Sequence, residues 1–530
     1  MKYSLLFLIM TILFPALASA LVYDDTEIID GAPYVTRLDF EKTTKYKCTK
    51  SCRKVSKVPS NAPNNAYSLL SGLGAGLPQV VRALQSDDQR FVAAFRSDGK
   101  NRVIQIVDLV TRQSYFRTEN IPNEILLEET RLLAWSGHHL FYLSDIEGRR
   151  AVYRVNADAL LSGFGVTKAI GGDFEVADFL PLGENEILYV ANTRGTYDWR
   201  LYHLKDKSLH EIDRDVSNIA RLEKLGDLIF YSKMTEAGFE AYTYDLKTKK
   251  TEKLKMPKAS NFKDLMSPVM SPKTYAGLPS VLVKPSKPND GKNLIVWLHG
   301  GPHRQTSLVL NPIRSYGTYD ATLIRIANET GTPILKVDYP GSIGSGFALA
   351  NSIYGQVGGI DVDKLGEAIK EVVKELGVEN VYMGGTSYGG YLSLKFVAEK
   401  PNMVDGILAI NPVTDWPLLF ESVYGSPLMK LFGTNKASVP QYLWDQADIY
   451  KQIETISSDK PIVIAYGSND TNVPNAQSII MIHFLKSKGK NVKEVIFKGE
   501  GHTIVKKSSV QNFCKEMLKL IGAKSTKCSL

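Results

Sequence analysis

The pentapeptide Gly385-Thr386-Ser387-Tyr388-Gly389 limits the possible folds of this chain more than any other feature. It directly follows the apolar run 381–384, which is typical of a buried strand, and it precedes 391–397, which has the spacing of a helix. A serine in such a strand-to-helix turn needs small neighbours, because the chain reverses within a few residues. The pattern therefore predicts a sharp turn that exposes the hydroxyl of Ser387 at the end of a strand.

The surrounding region, from about residue 263, alternates apolar strands with long amphipathic segments. This alternation is typical of a parallel sheet covered by helices. The clearest helix is predicted from about Val362 to Leu376, with Gly377 in the place of a helix-ending glycine. We therefore expect an α/β-hydrolase domain, a mostly parallel sheet with flanking helices, over residues 263–530. The predicted strands are 280–284, 294–298, 333–337, 381–384, 406–410, 462–466 and 492–497.

A serine hydroxyl becomes an effective nucleophile when a histidine takes its proton and a carboxylate orients that histidine. In an α/β-hydrolase these groups follow the order Ser, Asp, His along the chain. Asp470 lies in the loop directly after the strand 462–466, and His502 follows the strand 492–497. We therefore predict a catalytic triad of Ser387, Asp470 and His502.

Other residues could in principle supply the histidine and the acid. Of the eight histidines, only His483 and His502 follow Ser387 in the chain. His483 lies within a segment with the pattern of a helix packed on the sheet, which favours a half-buried helical position for it. Glu500 and Asp415 are weaker candidates for the acid, because neither lies in the loop after the strand that precedes the histidine strand.

Acyl transfer also requires N–H groups aimed at the oxygen that becomes negative. One candidate donor is the backbone of Tyr388, next after the serine, and the other is Gly301 in the loop 299–303. The glycines of that loop allow a close approach to the nucleophile. A simple turn is the alternative interpretation of the loop.

The region from about 66 to 256 repeats a unit of two alternating strands separated by polar turns. The repeats begin 49, 47 and 41 residues apart, at Phe91, Leu140, Ile187 and Leu228. This spacing is near the roughly 40 to 50 residues of a propeller blade. We predict an all-β propeller-like domain with few blades over residues 21–262, with a candidate fifth blade around Ser68 to Leu84. A β-sandwich of hairpins is the alternative.

The first twenty residues have the three parts of a secretory signal: Lys2, an apolar run over 5–17, and the small residues Ala18-Ser19-Ala20. We therefore expect residues 1–20 to be removed and the protein to be exported, either to a periplasm or into the medium, without stable membrane insertion. An uncleaved anchor is the alternative, although Pro15 interrupts the run and the run is short for a bilayer.

Charge and cysteine content narrow the remaining classes. The formal net charge of +8 is spread over 530 residues, so no nucleic-acid partner is expected. No metal, nucleotide or flavin motif stands out, and we expect no cofactor. Four cysteines in an exported chain permit disulfides. Bridges within the pairs Cys48/Cys52 and Cys514/Cys528 need the least long-range ordering, but a link between the two ends is equally allowed.

These motifs together resemble the prolyl oligopeptidase family of serine peptidases, in which a propeller precedes an α/β-hydrolase domain. The resemblance is specific over 263–530 and loose over the propeller. The segment His299-Gly300-Gly301-Pro302 is similar to the acylaminoacyl-peptidase branch, since dipeptidyl and prolyl oligopeptidases have a tyrosine in place of His299. The matching segments are 298–303, 338–346, 385–390, 467–474 and 501–502.

The resemblance also implies a substrate site. It places Asn472 against substrate carbonyl groups, and it places Tyr388, Val413, Trp416 and Val473 in the wall of a pocket for proline or a compact apolar side chain. Plain core packing is the alternative for Val413 and Trp416. The paired glutamates with which dipeptidyl peptidases hold a substrate amine are not found, so strict release of dipeptides is not implied.

The sequence therefore favours a serine peptidase that hydrolyses short peptides through an acyl-enzyme. An esterase of the same fold is one alternative, because the same chemistry cleaves esters. A binding protein with an inactive hydrolase domain is another, and the complete triad argues against it.

Overall fold

The computed structural model of the 530-residue chain describes most of both predicted domains. The described residues are 22–29, 32–39, 42–48, 52–55, 70, 80–97, 102–118, 131–144, 147–162, 165–192, 199–217, 221–235, 238–256, 269–285, 287, 292–308, 310–311, 314–422, 426–433, 436–524 and 528. The predicted signal, residues 1–20, lies outside them.

The described residues of the N-terminal half form antiparallel meanders of four strands each, and the first and the last meander join in one eight-stranded sheet. Their strands are β1 (Val22–Ile29), β2 (Ala32–Asp39), β3 (Lys42–Cys48), β4 (Cys52–Val55); β5 (Val80–Gln85), β6 (Phe91–Ser97), β7 (Arg102–Asp108), β8 (Ser114–Thr118); β9 (Leu133–Ser136), β10 (His139–Ser144), β11 (Ala151–Asn156), β12 (Val166–Ile170); β13 (Val176–Gly183), β14 (Glu186–Ala191), β15 (Arg200–Lys205), β16 (Ser208–Arg214); and β17 (Glu223–Leu225), β18 (Leu228–Thr235), β19 (Gly238–Asp245), β20 (Thr251–Lys253). Each meander is one blade of the predicted propeller.

The first strands of neighbouring blades contact one another, β5 with β9 and β9 with β13. Strand β1 contacts β17 and pairs in parallel with β19 at Val22 and Tyr23, which links the first blade to the last. Buried apolar side chains such as Phe95, Phe141 and Phe179 fill the spaces between blades. The strands that the sequence pattern identified in each repeat are the second strands of their blades, β6, β10, β14 and β18.

The predicted fifth blade around Ser68 to Leu84 is wrong in its described strand, Val80 to Leu84, and residues 71–79 lie outside the described residues. Within that stretch, β5 is the first strand of the blade that contains β6, because it pairs with β6 from Val80 to Gln85. The fifth meander lies upstream instead, in β1 to β4. Its strands have many charged residues, so the hydrophobic alternation that reveals the other blades is weak there.

The C-terminal half is built around one eight-stranded sheet with the order β21-β22-β24-β23-β25-β26-β27-β28. Strands β21 and β22 run antiparallel to their neighbours, and the pairs from β24 to β28 are parallel. The bounds are β21 (Val269–Tyr275), β22 (Leu278–Lys284), β23 (Asn293–Leu298), β24 (Ile334–Val337), β25 (Asn380–Thr386), β26 (Gly406–Ile410), β27 (Ile462–Gly467) and β28 (Val492–Phe497).

Helices cover both faces of this sheet. They are α1 (Arg314–Thr330), α2 (Phe347–Asn351), α3 (Ile360–Leu376), α4 (Tyr388–Glu399), α5 (Trp416–Leu419), α6 (Gln441–Ala447), α7 (Ala476–Ser487) and α8 (Lys507–Leu520). In β23, Ile295 and Trp297 pack with α1 and α8, while Leu294 and Val296 pack with α3, α4 and α7. A strand buried on both faces needs this continuous apolar run. The arrangement is an α/β-hydrolase domain preceded by a β-propeller, and α3 ends at Gly377 in the left-handed conformation, as predicted.

The four cysteines lie as two pairs, each pair close together in the chain. The sulfurs of Cys514 and Cys528 are at disulfide distance, with Cα atoms 6.1 Å apart, and Cys48, which is also disulfide-bonded, stands opposite Cys52 in the ladder of β3 and β4. Among the described helices, none combines the length and the apolar character that a membrane span requires.

Candidate active site

Ser387 occupies a strained turn between β25 and α4. Its backbone has φ 58° and ψ −118°, a conformation that residues with a side chain rarely adopt. The turn requires a glycine at position 389, because a Cβ there would lie 2.2 Å from the carbonyl oxygen of Leu298, too close for any side chain. The N–H of Ser387 donates to the carbonyl oxygen of Ile410 at 2.8 Å. The predicted sharp turn is thus present, at the carboxyl end of a central strand.

Asp470 and His502 form a direct hydrogen-bonded pair. His502 Nδ1 lies 2.8 Å from Asp470 Oδ2, and the Asp470 side chain is fully buried. The other carboxylate oxygen of Asp470 accepts the N–H groups of Asn472 at 2.8 Å and Val473 at 3.1 Å. Both oxygens of the acid therefore have partners, which fixes the carboxylate and orients the His502 ring with Nδ1 toward the acid and Nε2 away from it.

Asn411, directly after β26, connects the serine turn with the loops of the acid and the histidine. Its side chain donates from Nδ2 to the carbonyl oxygen of His502 at 2.6 Å and accepts at Oδ1 from the N–H of Gly467 at 2.8 Å. Its own N–H donates to Ala465 at 2.8 Å, and Ile410, its neighbour, holds Ser387. The predicted Ser387, Asp470 and His502 therefore follow the carboxyl ends of strands at one edge of the sheet, where the Asn411 side chain joins the loops of the acid and the histidine and the neighbouring Ile410 backbone holds Ser387.

The loop after β23 is also fixed. His299 Nε2 lies 3.0 Å from Ser342 Oγ, and the Tyr339 hydroxyl donates to the His299 carbonyl oxygen at 2.6 Å. A Cβ on Gly300 would lie 3.0 Å from the Cβ of Ser387, so this loop runs directly beside the serine. Gly301 has φ 136°, which favours glycine. The residue of the loop that packs against Ser387 is Gly300, and a Cβ on the predicted donor Gly301 would instead meet His303 and Arg304.

Tyr388, the second predicted donor, begins α4 and is buried. Its hydroxyl donates to Asp361 Oδ2 in α3 at 2.7 Å. Burial raises the pKa of Asp361 to about 6, although the hydrogen bond from Tyr388 opposes that shift. Burial, together with the neighbouring Asp361 carboxylate, also raises the pKa of the Tyr388 phenol well above its usual range. The tyrosine next to the nucleophile is therefore a neutral hydrogen-bond donor over the physiological range.

The four residues assigned to the substrate pocket lie in two places. Asn472 and Val473 are in the loop that holds Asp470, with Asn472 half-buried and Val473 buried. Val413 and Trp416 follow β26 and are 1% and 3% exposed. The Trp416 ring contacts Tyr388 at 5.8 Å between centroids, and it also packs on Tyr391, Phe420 and Phe432. Trp416 thus supports Tyr388 from within an aromatic cluster, and its low exposure favours the core-packing interpretation for this residue.

The competing residues have other roles in the structure. His483 lies on α7 as predicted, but the expected half-buried position is wrong, because its side chain is exposed. Glu500 is buried, and its Oε1 accepts the N–H groups of Val505 at 3.1 Å and Lys506 at 2.7 Å. Asp415 caps α5 by accepting the Leu418 N–H at 2.8 Å.

Sequence reasoning missed three residues of this site: Asn411, Asp361 and Tyr316, whose hydroxyl lies 2.7 Å from the position of a Cβ on Gly300. Asn411 had a usable signal, because a polar residue directly after a buried strand lies at the edge where parallel strands place functional groups. Asp361 and Tyr316 belong to helices, and nothing in their local pattern indicates that they face the serine turn.

The sequence similarity to known proteins lies in the C-terminal half of the chain. Residues 318–527 match the prolyl oligopeptidase family. Dipeptidyl peptidase family member 1 of Caenorhabditis elegans is 28% identical over 245 residues, covering 43% of this chain and 28% of that protein. The human acylamino-acid-releasing enzyme is 26% identical over 245 residues, covering 43% of this chain and 32% of the enzyme. The chain thus spans about a third or less of the length of these curated relatives.

Solved structures extend the likeness over both domains. A puromycin-hydrolyzing peptidase of Mycobacterium tuberculosis superimposes with a TM-score of 0.69 at 16% identity, covering 96% of this chain and 81% of that one. At this identity the likeness concerns the fold, a propeller followed by an α/β-hydrolase domain. The sequence match to the prolyl oligopeptidase family thus lies within the C-terminal domain, over 318–527, and the likeness in fold extends over both domains.

Proposed function

We propose that this chain is an exported serine peptidase that hydrolyses short peptides through an acyl-enzyme. The observation that carries the proposal is the strained Ser387 turn at the sheet edge that also holds the His502–Asp470 pair. The sequence match of residues 318–527 to a peptidase family supports the same chemistry.

In the proposed mechanism Ser387 Oγ attacks the carbonyl carbon of the scissile bond while His502 Nε2 takes the hydroxyl proton. Asp470 keeps a proton on Nδ1 and stabilises the imidazolium that forms. The backbone N–H groups of Tyr388 and Gly301 stabilise the negative oxygen. His502 then protonates the leaving amine as the C–N bond breaks, and a water molecule, activated by the same histidine, releases the acyl group.

The substrate residues are part of the proposal. Asn472 contacts a substrate carbonyl group, and Tyr388, Val413, Trp416 and Val473 bound the pocket for the residue before the cleaved bond. The propeller, residues 21–262, limits access to the hydrolase domain, residues 263–530, to short peptides.

The direct test uses a fluorophosphonate probe on the purified protein, with the labelled peptide mapped by mass spectrometry. We expect labelling at Ser387 that is lost in Ser387→Ala and kept in Ser457→Ala, an exposed serine far along the chain. Absence of labelling in a folded parent would remove the triad and favour a binding protein. Comparing kcat/KM on a peptide and on the matched ester then separates a peptidase from an esterase.

Export is supported by the secretory pattern of residues 1–20 and by the cysteines. Cys514 and Cys528 are placed to form a disulfide, which persists in oxidising compartments. Mass spectrometry of the protein from cell fractions should find a chain that begins at Leu21, with its cysteines oxidised. A chain that retains Met1 and stays with the membrane would contradict export as a free protein.

A further inference from the structure

Arg304 is a half-buried arginine directly after the loop that passes beside the nucleophile. Its N–H donates to Pro302 at 2.8 Å, and its carbonyl oxygen accepts from the N–H of Ile343 at 3.0 Å. One guanidinium nitrogen, Nη1, donates to the carbonyl oxygen of His303 at 3.1 Å. Both the backbone and the side chain of Arg304 are therefore held in place.

Tyr316 connects Arg304 with the nucleophile. The position of a Cβ on Gly300 lies 2.7 Å from Tyr316 Oη and 3.0 Å from Ser387 Cβ, so the hydroxyl and the serine Cβ are at most 5.7 Å apart. The Arg304 guanidinium lies beside that hydroxyl: it lowers the pKa of Tyr316, while burial raises that pKa by more. The positive charge is thus one side chain away from the serine.

This charge has no acidic partner within the described part of the chain. The buried carboxylates around the loop have other partners: Asp338 accepts from Thr306 at 2.7 Å and faces His299, and Asp320 pairs with Lys336 at 3.2 Å. A guanidinium that is partly removed from water gains most from a carboxylate, which its planar fork matches with two hydrogen bonds.

We infer that Arg304 binds a carboxylate of the substrate next to the scissile bond, so that the enzyme prefers anionic peptides. This inference rests on the peptidase function proposed above. The carboxylate has two possible sources, the C-terminal α-carboxylate of a short leaving peptide or the side chain of an aspartate or glutamate. Because the guanidinium also lies beside Tyr316, the Tyr316 hydroxyl is a second hydrogen-bond donor to the bound carboxylate.

The test compares kcat/KM within two matched pairs of peptides. One pair differs only in a C-terminal acid against a C-terminal amide, and the other only in glutamate against glutamine next to the cleaved bond. The parent should prefer the anionic member of one pair by about tenfold, the size of a partly exposed charged hydrogen bond. Arg304→Gln should bring that ratio near one. Arg149→Gln, which removes a charge that pairs with Asp173 on the propeller, should keep it.

The pair that shows the preference identifies the source of the carboxylate. Equal kcat/KM within both pairs, on a parent that is labelled at Ser387, would overturn the inference and leave the peptidase proposal intact. Arg304→Gln that lowers both members of a pair by the same factor would also overturn it, since that result indicates a role in positioning the loop. If Arg304→Gln does not fold, Arg304→Lys decides: a reduced ratio that falls further with added salt supports charge recognition, and an unchanged ratio contradicts it.

Discussion

Asn411 holds together three loops that come from distant parts of the chain. Its amide has one oxygen and one NH₂ group, and the structure uses each for a different loop, Gly467 for the oxygen and His502 for the NH₂ group. Its backbone has φ 46°, which asparagine tolerates better than most residues. A carboxylate could keep the first bond, but it has no proton to donate in the second.

We therefore expect Asn411→Asp and Asn411→Ala to lower kcat by about 10- to 100-fold with a smaller change in KM, because displacement of the histidine affects the reaction more than substrate binding. Asn402→Ala, an exposed asparagine on the same domain, is the matched control. Steady-state kinetics on one peptide gives the comparison. A loss confined to KM would show that Asn411 affects binding and does not position His502.

Among single residues, the sequence identified the three members of the proposed triad but not the residues that hold them in place. The motif around Ser387 and the chain order of Asp470 and His502 are local signals, and the structure places the three residues at one sheet edge. Asn411 has a local signal in its place directly after a buried strand, but the partners of Asn411 and Asp361 lie 27 to 91 positions away and Tyr316 acts across a loop, and no local pattern records those contacts.

Helices α3 and α4 are joined by the buried Asp361, which accepts the Tyr388 hydroxyl. A buried carboxylate is more stable in its neutral form, and the pKa of Asp361 is raised from 3.8 to about 6. Between these values the folded protein binds a proton that the unfolded chain does not bind. The free energy of unfolding therefore decreases as pH rises from about 4 to 6, and the full cost of the buried charge is present above pH 6.

Asp361→Asn removes this charge and should gain stability over the parent as pH rises. The difference in the free energy of unfolding between variant and parent should grow by about 3 kcal/mol between pH 4 and pH 7, because each pKa unit of the Asp361 shift corresponds to about 1.4 kcal/mol. Urea unfolding of the hydrolase domain, followed by tryptophan fluorescence at both pH values, measures it. Asp363→Asn, an exposed position on the same helix, is the control. A difference that does not change with pH would show that Asp361 keeps an ordinary pKa.

The element pattern of the hydrolase domain was predictable, and that of the propeller only in part. All seven predicted strands of the sheet are present, since strands buried on both faces have continuous apolar sequence. Strand β21 was missed because it is a half-exposed edge strand that contains Pro272, and proline is tolerated at such an edge. The blade formed by β1 to β4 was missed for a related reason, because its polar strands show little alternation.

Blades of a propeller are held to one another mainly by packing, and here a polar cluster around His138 adds to it. His138, before β10, lies 2.7 Å from Asp88 Oδ2 and 2.6 Å from Asp158 Oδ2. Asp88 precedes β6 in the neighbouring blade. Arg90 reinforces the cluster by pairing with Asp158 and Asp108 at 3.0 Å each. His138 therefore bridges two carboxylates across the boundary between two blades.

The two carboxylates raise the pKa of His138 above its usual 6.5, mainly through their hydrogen bonds. Protonated histidine donates from both nitrogens, and the neutral ring donates from one. The stabilisation is therefore fully present below pH 6.5 and is lost as pH rises through the higher pKa of the folded state.

His138→Gln should lower the unfolding temperature of the propeller by about 1–3 °C at pH 5.5, a small decrease because exposed ion pairs contribute little. At pH 9 the decrease should be smaller, because the His138 ring is then neutral in the parent as well. Calorimetry at the two pH values measures the shift, with His210→Gln on the exposed strand β16 as the matched control. A decrease of the same size at both pH values would show that His138 contributes by packing on Phe91, 5.2 Å away, and that charge plays no part in the contact between the blades.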